Sequence, residues 1–195
     1  MGTRDTILDA AAQVMHRQGL AATTTREIAK TAGYSEATLY KHFRDKQDLF
    51  LSVLQERLPG LDAVQDLVGR ATVAANLHVL VEQLMRFYFA SFPIAASLFS
   101  QPVLLAEHRR LLSERGAGPR QPVQRLAHYL QAEQDRGRLS AKVDVAAMAA
   151  LLAGAAFQQG FLANFEGVAE LPDPQDWAAR LVASVLGASE GALHS

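Results

Sequence analysis

The chain has 195 residues, 49% of them hydrophobic, with 19 Lys and Arg against 20 Asp and Glu. That is enough apolar material for one or two packed domains, and a net charge of −1 excludes a protein that coats nucleic acid indiscriminately, because such binding runs on phosphate neutralisation. Without cysteine there is no disulfide framework, thiolate zinc site or cysteine nucleophile. The polar start MGTRDTILDAAAQV does not read as a signal peptide. The longest apolar run, Val145 to Phe157, has 13 residues, short of the roughly 20 that cross a bilayer. A cytoplasmic protein that leaves the membrane alone is expected.

Apolar residues recur at helical spacing and Gly or Pro punctuates the chain, so the fold is predicted all-α, with about nine helices. The first runs from about Arg4 to Gln18, capped by Thr3 and stopped by Gly19. A capping box, Thr24 to Glu27, opens the second, which Gly33 ends. Ser35 caps a third through His42, and Asp45 a fourth that carries Leu49, Phe50, Val53 and Leu54. Pro59 and Gly60 then mark a domain boundary, giving a first domain 1–58 and a second 59–195. Further helices are expected near 74–91, stopped before Pro93, and near 103–115, 121–136, 144–165 and 175–187, the last with Asp173 as cap and Pro174 at its first position.

The informative stretch is residues 25–43, two short helices about a glycine-centred turn, which is helix-turn-helix spacing. Ala29 keeps the crossing point small and Gly33 tolerates positive φ. Ile28, Ala29, Ala32, Leu39 and Phe43 are expected to face inward, which leaves Ser35, Glu36, Thr38, Lys41 and His42 outward on a helix tip that fits a major groove. The first 58 residues carry 8 Lys and Arg against 7 Asp and Glu, so a DNA site rests on a few placed residues doubled by symmetry.

TTREIA at 24–29, AGYS at 32–35, TLYKHF at 38–43 and DKQDLF at 45–50 together resemble the tetracycline-repressor (TetR) family, over about residues 4–54. The resemblance implies a ligand-released repressor: three N-terminal helices on double-stranded DNA at a palindromic operator, then a helical domain that binds a small-molecule effector and forms the homodimer. It further implies phosphate contacts from Thr24, Thr25, Tyr40 and Lys46, and a reading helix holding Ser35, Glu36, Ala37, Thr38, Lys41 and His42. Glu36 departs from the pattern, where small or amide residues are more usual. Its carboxylate either accepts from a cytosine amino group or repels phosphate.

In the second domain Met85, Tyr88, Phe92, Phe99, His108, Tyr129, Phe157, Gln158 and Phe161 are the candidates for an apolar effector pocket, with ordinary core packing as the competing reading. Gln158, His108 and Asn164 stand out because a buried amide or imidazole must be satisfied by something. The helix from Asp144 is apolar on almost every side and must be covered all round, so Leu151 and Phe165, with Leu181, Val182 and Val185 of the last helix, are expected at a two-fold interface. The histidines have no metal-site spacing and no Ser or carboxylate pairing suggests catalysis, so neither enzyme nor cofactor is expected. Two alternatives stay open: a helical carrier with a vestigial helix-turn-helix, and a DNA-binding regulator governed by a protein partner.

Overall fold

The computed structural model describes residues 2–57, 64–114 and 118–191. Pro59, Gly60, Gly116 and His194 lie outside them, as does the side chain of Leu54. Among the described residues there are nine α-helices, one short 3-10 helix at Val64–Leu67 and no strand. They are α1 (Thr3–Ala22), α2 (Thr25–Ala32), α3 (Glu36–His42), α4 (Lys46–Glu56), α5 (Val73–Phe99), α6 (Pro102–Glu114), α7 (Gln121–Asp135), α8 (Val145–Phe165) and α9 (Pro174–Gly191).

The chain divides into two compact units, Met1–Leu58 with Ala90–Gly116, and Pro59–Phe89 with Ala117–Ser195. Residues 90–114 thus pack with the N-terminal unit, although sequence order suggested the second domain. Their apolar positions explain this: Ile94, Leu98 and Leu104 are buried in the same core as Ile7, Val14, Leu39 and Phe50.

In the first unit α1 carries the stripe Ile7, Leu8, Ala11, Val14 and Met15, all fully buried. Gly2, not Thr3, precedes its first turn, and the helical assignment runs past a kink at Gly19, φ +74°, to Ala22. Charge ties the beginning of α1 to the end of α4. Arg57 donates to Asp9 and Asp5, both at 2.7 Å, and Arg4 donates to both oxygens of Glu56 at 2.8 and 2.7 Å. The Arg57 guanidinium holds the Asp5 carboxyl below its usual range. Exposed pairs of this kind contribute little singly, but a network that fixes two helix ends restricts their relative rotation.

In the second unit α8 packs on α7 and α9. Leu77, Leu80, Val81, Leu84, Leu126, Leu130, Met148 and Leu152 form the centre of its core. The fully buried Glu133 accepts the N–H of Gly69 at 2.9 Å and meets Nε of Arg138 at 3.0 Å. Arg138 also donates to the carbonyls of Arg70 (3.0 Å) and Ala71, and Asn76 donates to those of Leu67 (3.0 Å) and Arg70 (2.9 Å). The segment between the 3-10 helix and α5 is thereby held without regular structure of its own.

α5 does not stop before Pro93, as proline chemistry suggested, but continues to Phe99. Proline removes the N–H that the carbonyl of Phe89 would accept from in a regular helix. That carbonyl instead accepts from the side-chain amide of Asn164 at 3.0 Å.

Candidate nucleic-acid interface

Three short helices are cut to length by local signals. Thr24 caps α2, its hydroxyl accepting the N–H of Glu27 at 3.2 Å, but the expected reciprocal bond of a capping box is not what Glu27 makes: its carboxylate accepts from Gln18 of α1 at 2.8 Å. Gly33 ends α2 in the left-handed region, φ +76°, and the N–H of Tyr34 returns to the carbonyl of Ala29 at 2.9 Å. A side chain with Cβ is strained there, so the turn selects glycine. Ser35 then caps α3 by accepting the N–H of Thr38 at 3.2 Å, and Asp45 caps α4 by accepting that of Asp48 at 2.8 Å.

Ile28, Ala29, Leu39 and Phe43 are buried, so α2 and α3 are seated on α1 through their apolar sides, in a core that α4 also enters. Ala32 is half-buried against the same core. What remains outward is the polar set. Thr24, Ser35, Ala37, Tyr40, Lys41 and His42 are exposed, and Thr25, Glu36, Thr38 and Lys46 are half-buried. Lys46 lies with its ammonium 5.0 Å from the ring of Phe50, an arrangement that keeps the charge near α4 while leaving it partly solvated. All ten sequence-derived contact residues therefore belong to one helix-turn-helix unit and its following helix.

Three of them are joined in a way no sequence signal indicated. The Tyr40 hydroxyl donates to Thr25 Oγ1 at 3.3 Å, and Thr25 Oγ1 donates to Glu36 Oε1 at 2.7 Å. Residues eleven and fifteen positions apart meet here because the turn at Gly33 brings the start of α3 back beside the start of α2.

The family model for bacterial regulatory proteins of the tetR family matches residues 7–53, the span of α1 to α4. The repressor KstR2 of Mycolicibacterium smegmatis is 32% identical over 112 residues, which cover 57% of this chain and 52% of that one. Over residues 7–53 the chain is thus similar to the TetR family. A TetR-family regulator from Mesorhizobium loti superposes with a TM-score of 0.71 over 95% of this chain and 96% of that one, at 22% identity. Bacillus subtilis FadR, solved in complex with stearoyl-CoA, superposes with a TM-score of 0.65 over 93% and 97%, at 17% identity. Both share the fold. The chain spans from about a quarter to a little over half the length of the curated relatives it matches.

The nine pocket candidates fall on both units. Phe92, Phe99 and His108 lie in the first; Met85, Tyr88, Tyr129, Phe157, Gln158 and Phe161 lie in the second. Phe99 is 69% exposed and lines no interior. Met85 and Tyr129 are core residues, and burial pushes the Tyr129 phenol up to about 12. Phe157 and Phe161 are exposed beside the exposed Gln158, with Tyr88 packed edge-on against Phe157 at 5.3 Å. His108 is half-buried with an enclosed Nδ1 that makes no hydrogen bond among the described residues, and burial lowers its pKa. Asn164 is a packing residue, its amide shared between the carbonyls of Phe89 and Gly160.

The interface candidates also separate. Leu151 and Phe165 of α8 are 64% and 80% exposed. Leu181 and Val185 of α9 are half-buried against the core of their own unit. Val182 is fully buried there, so its side chain does not reach a partner: it sits on the inward side of α9 with Ala178, four residues before it. α8 itself is long and apolar enough to cross a membrane by length and composition, but Met148, Ala149, Leu152, Ala153, Ala156, Gly160 and Ala163 face the core of the second unit.

Proposed function

We propose that this chain is a cytoplasmic transcriptional repressor of the TetR family that holds a palindromic operator as a homodimer and leaves it when a small apolar molecule binds. The observation that carries the reading is α3, seven residues capped at Ser35, seated by Leu39 and presenting Ser35, Ala37, Lys41 and His42 to solvent. A short polar helix on an apolar seat can enter a major groove without losing its geometry. Residues 1–58 are the DNA-binding domain, with Thr24, Thr25, Tyr40 and Lys46 on phosphate and the α3 residues on base edges. Residues 59–195 supply the effector site and the dimer contact, apart from the stretch 90–114 that packs with the first unit.

Homodimerisation is supported by the outward face of α8, where Leu151, Gly154 and Phe165 are exposed. Effector binding is supported by the aromatic edge of Tyr88, Phe157 and Phe161. The acyl-CoA held by the Bacillus subtilis neighbour supplies the first compound to try.

The test is selection of duplexes from a random library by the full chain, followed by anisotropy titrations at several salt concentrations. An inverted repeat with half-sites about 34 to 36 Å apart is expected. Equal affinity for every duplex would overturn the reading. Release by a ligand requires that it prefer the non-operator state by about 10⁴-fold to move the population from 99:1 to 1:99.

A further inference from the structure

Glu36 stands where the start of α3 meets the start of α2, and its carboxylate is the end of the chain Tyr40 to Thr25 to Glu36. A hydroxyl has one proton to give. Tyr40 gives its proton to Thr25 Oγ1, and Thr25 gives its own to Glu36 Oε1. A phosphate oxygen only accepts. While the chain is closed, neither hydroxyl can donate to the DNA backbone. The bond to a carboxylate at 2.7 Å is also the stronger kind, so it is not given up without a substitute.

We propose that Glu36 couples base reading to backbone gripping. It withholds Thr25 and Tyr40 from phosphate until a base-edge amino group, cytosine N4 or adenine N6, satisfies the carboxylate. On the correct base the carboxylate turns to the amino group, and the two hydroxyls are handed to phosphate together. On a wrong base the carboxylate keeps Thr25, and those phosphate contacts are lost along with the base contact. One acidic side chain thus lowers affinity for random sequence and raises the ratio of specific to non-specific binding, which is selection by a repulsive element. This rests on the DNA-binding reading above.

The experiment compares wild type, Glu36→Ala, Glu36→Gln and the double variant Thr25→Val/Tyr40→Phe with and without Glu36→Ala. Each is titrated with the selected operator and with a random-sequence duplex. Thermal melts confirm folding, and Glu36→Gln, which keeps size and accepting oxygen, stands in if Glu36→Ala melts early. Glu36→Ala is expected to tighten random-duplex binding by about tenfold, the size of one charge-assisted hydrogen bond, while the operator gains less or loses. That gain should vanish in the Thr25→Val/Tyr40→Phe background. Equal weakening on both duplexes would show a plain brace and overturn the coupling, as would a gain that survives loss of both hydroxyls. A wild type that discriminates no duplex would instead overturn the DNA-binding reading itself.

Discussion

Asn164 donates its side-chain amide to the carbonyl of Phe89 at 3.0 Å, and Pro93 has no N–H to offer that carbonyl. One turn earlier on α8, Gly160 lies so close to α5 that a Cβ there would come within 2.8 Å of the Phe89 nitrogen. The two residues dock α8 on α5 where a proline would otherwise weaken the helix. Asn164→Leu, nearly the same size, is expected to lower stability by about 1 to 3 kcal/mol, because the carbonyl loses its partner. Gly160→Ala should cost a similar amount through overpacking against backbone. Urea unfolding of the full chain, followed by circular dichroism, measures both. Wild-type midpoints for the two variants would show that the contact holds nothing.

This contact also marks where the sequence stopped being readable. α2, α3 and α4 were legible because their signals are local: Thr24, Ser35 and Asp45 bond within three residues, and Gly33 needs only its own φ. The continuation of α5 through Pro93 was not, because it involves a residue 75 positions from Phe89. Aromatic content likewise pointed to a pocket without saying which rings turn inward. Met85 and Phe99 read alike as pocket lining, yet one is core and the other is on the surface. Val182 and Leu181 are adjacent and equally apolar, and only the orientation of α9 separates core from periphery.

Leu151→Glu tests the dimer contact. Since Leu151 is 64% exposed in the single chain, a charge there should leave the fold standing and break association. Sedimentation at micromolar concentration is expected to show single-chain mass for the variant and twice that for wild type. Leu181→Glu is a poorer probe, because Leu181 is half-buried and the charge would damage its own unit. A Leu151→Glu chain that still sediments as a dimer would move the interface off this face.

Lys46→Ala should weaken binding to every duplex alike and flatten the slope of log affinity against log salt by about one unit for each protomer engaged. The ammonium sits at the first residue of α4, 5.0 Å from the ring of Phe50, and the proposed role there is a phosphate contact. Loss confined to the operator, with the salt slope unchanged, would place Lys46 in base reading instead.

His108 links stability to pH. Burial lowers its pKa below the usual histidine value near 6.5, so as the medium is acidified the unfolded chain takes up this proton before the folded chain does. Its contribution is full above about pH 6.5 and is lost as pH falls from there toward the folded-state value. His108→Gln should therefore lose less stability than wild type between pH 7 and pH 5, read as the difference between urea midpoints. Parallel losses in the two proteins would assign the acid sensitivity to other groups.

The outward face of α8 contains no Asp, Glu, Lys or Arg anywhere between Val145 and Phe165. Most proteins refuse wrong partners by placing like charges opposite one another, and that means is missing here. A partner chosen through this face is chosen by contour and by uncharged polar groups such as Gln158, by how Leu151, Gly154 and the ring of Phe165 interleave with their counterparts. Two related regulators in one cell with a similar relief along this helix would exchange subunits, and a mixed pair would carry two different reading helices. Such a pair would answer to asymmetric operators that neither parent recognises.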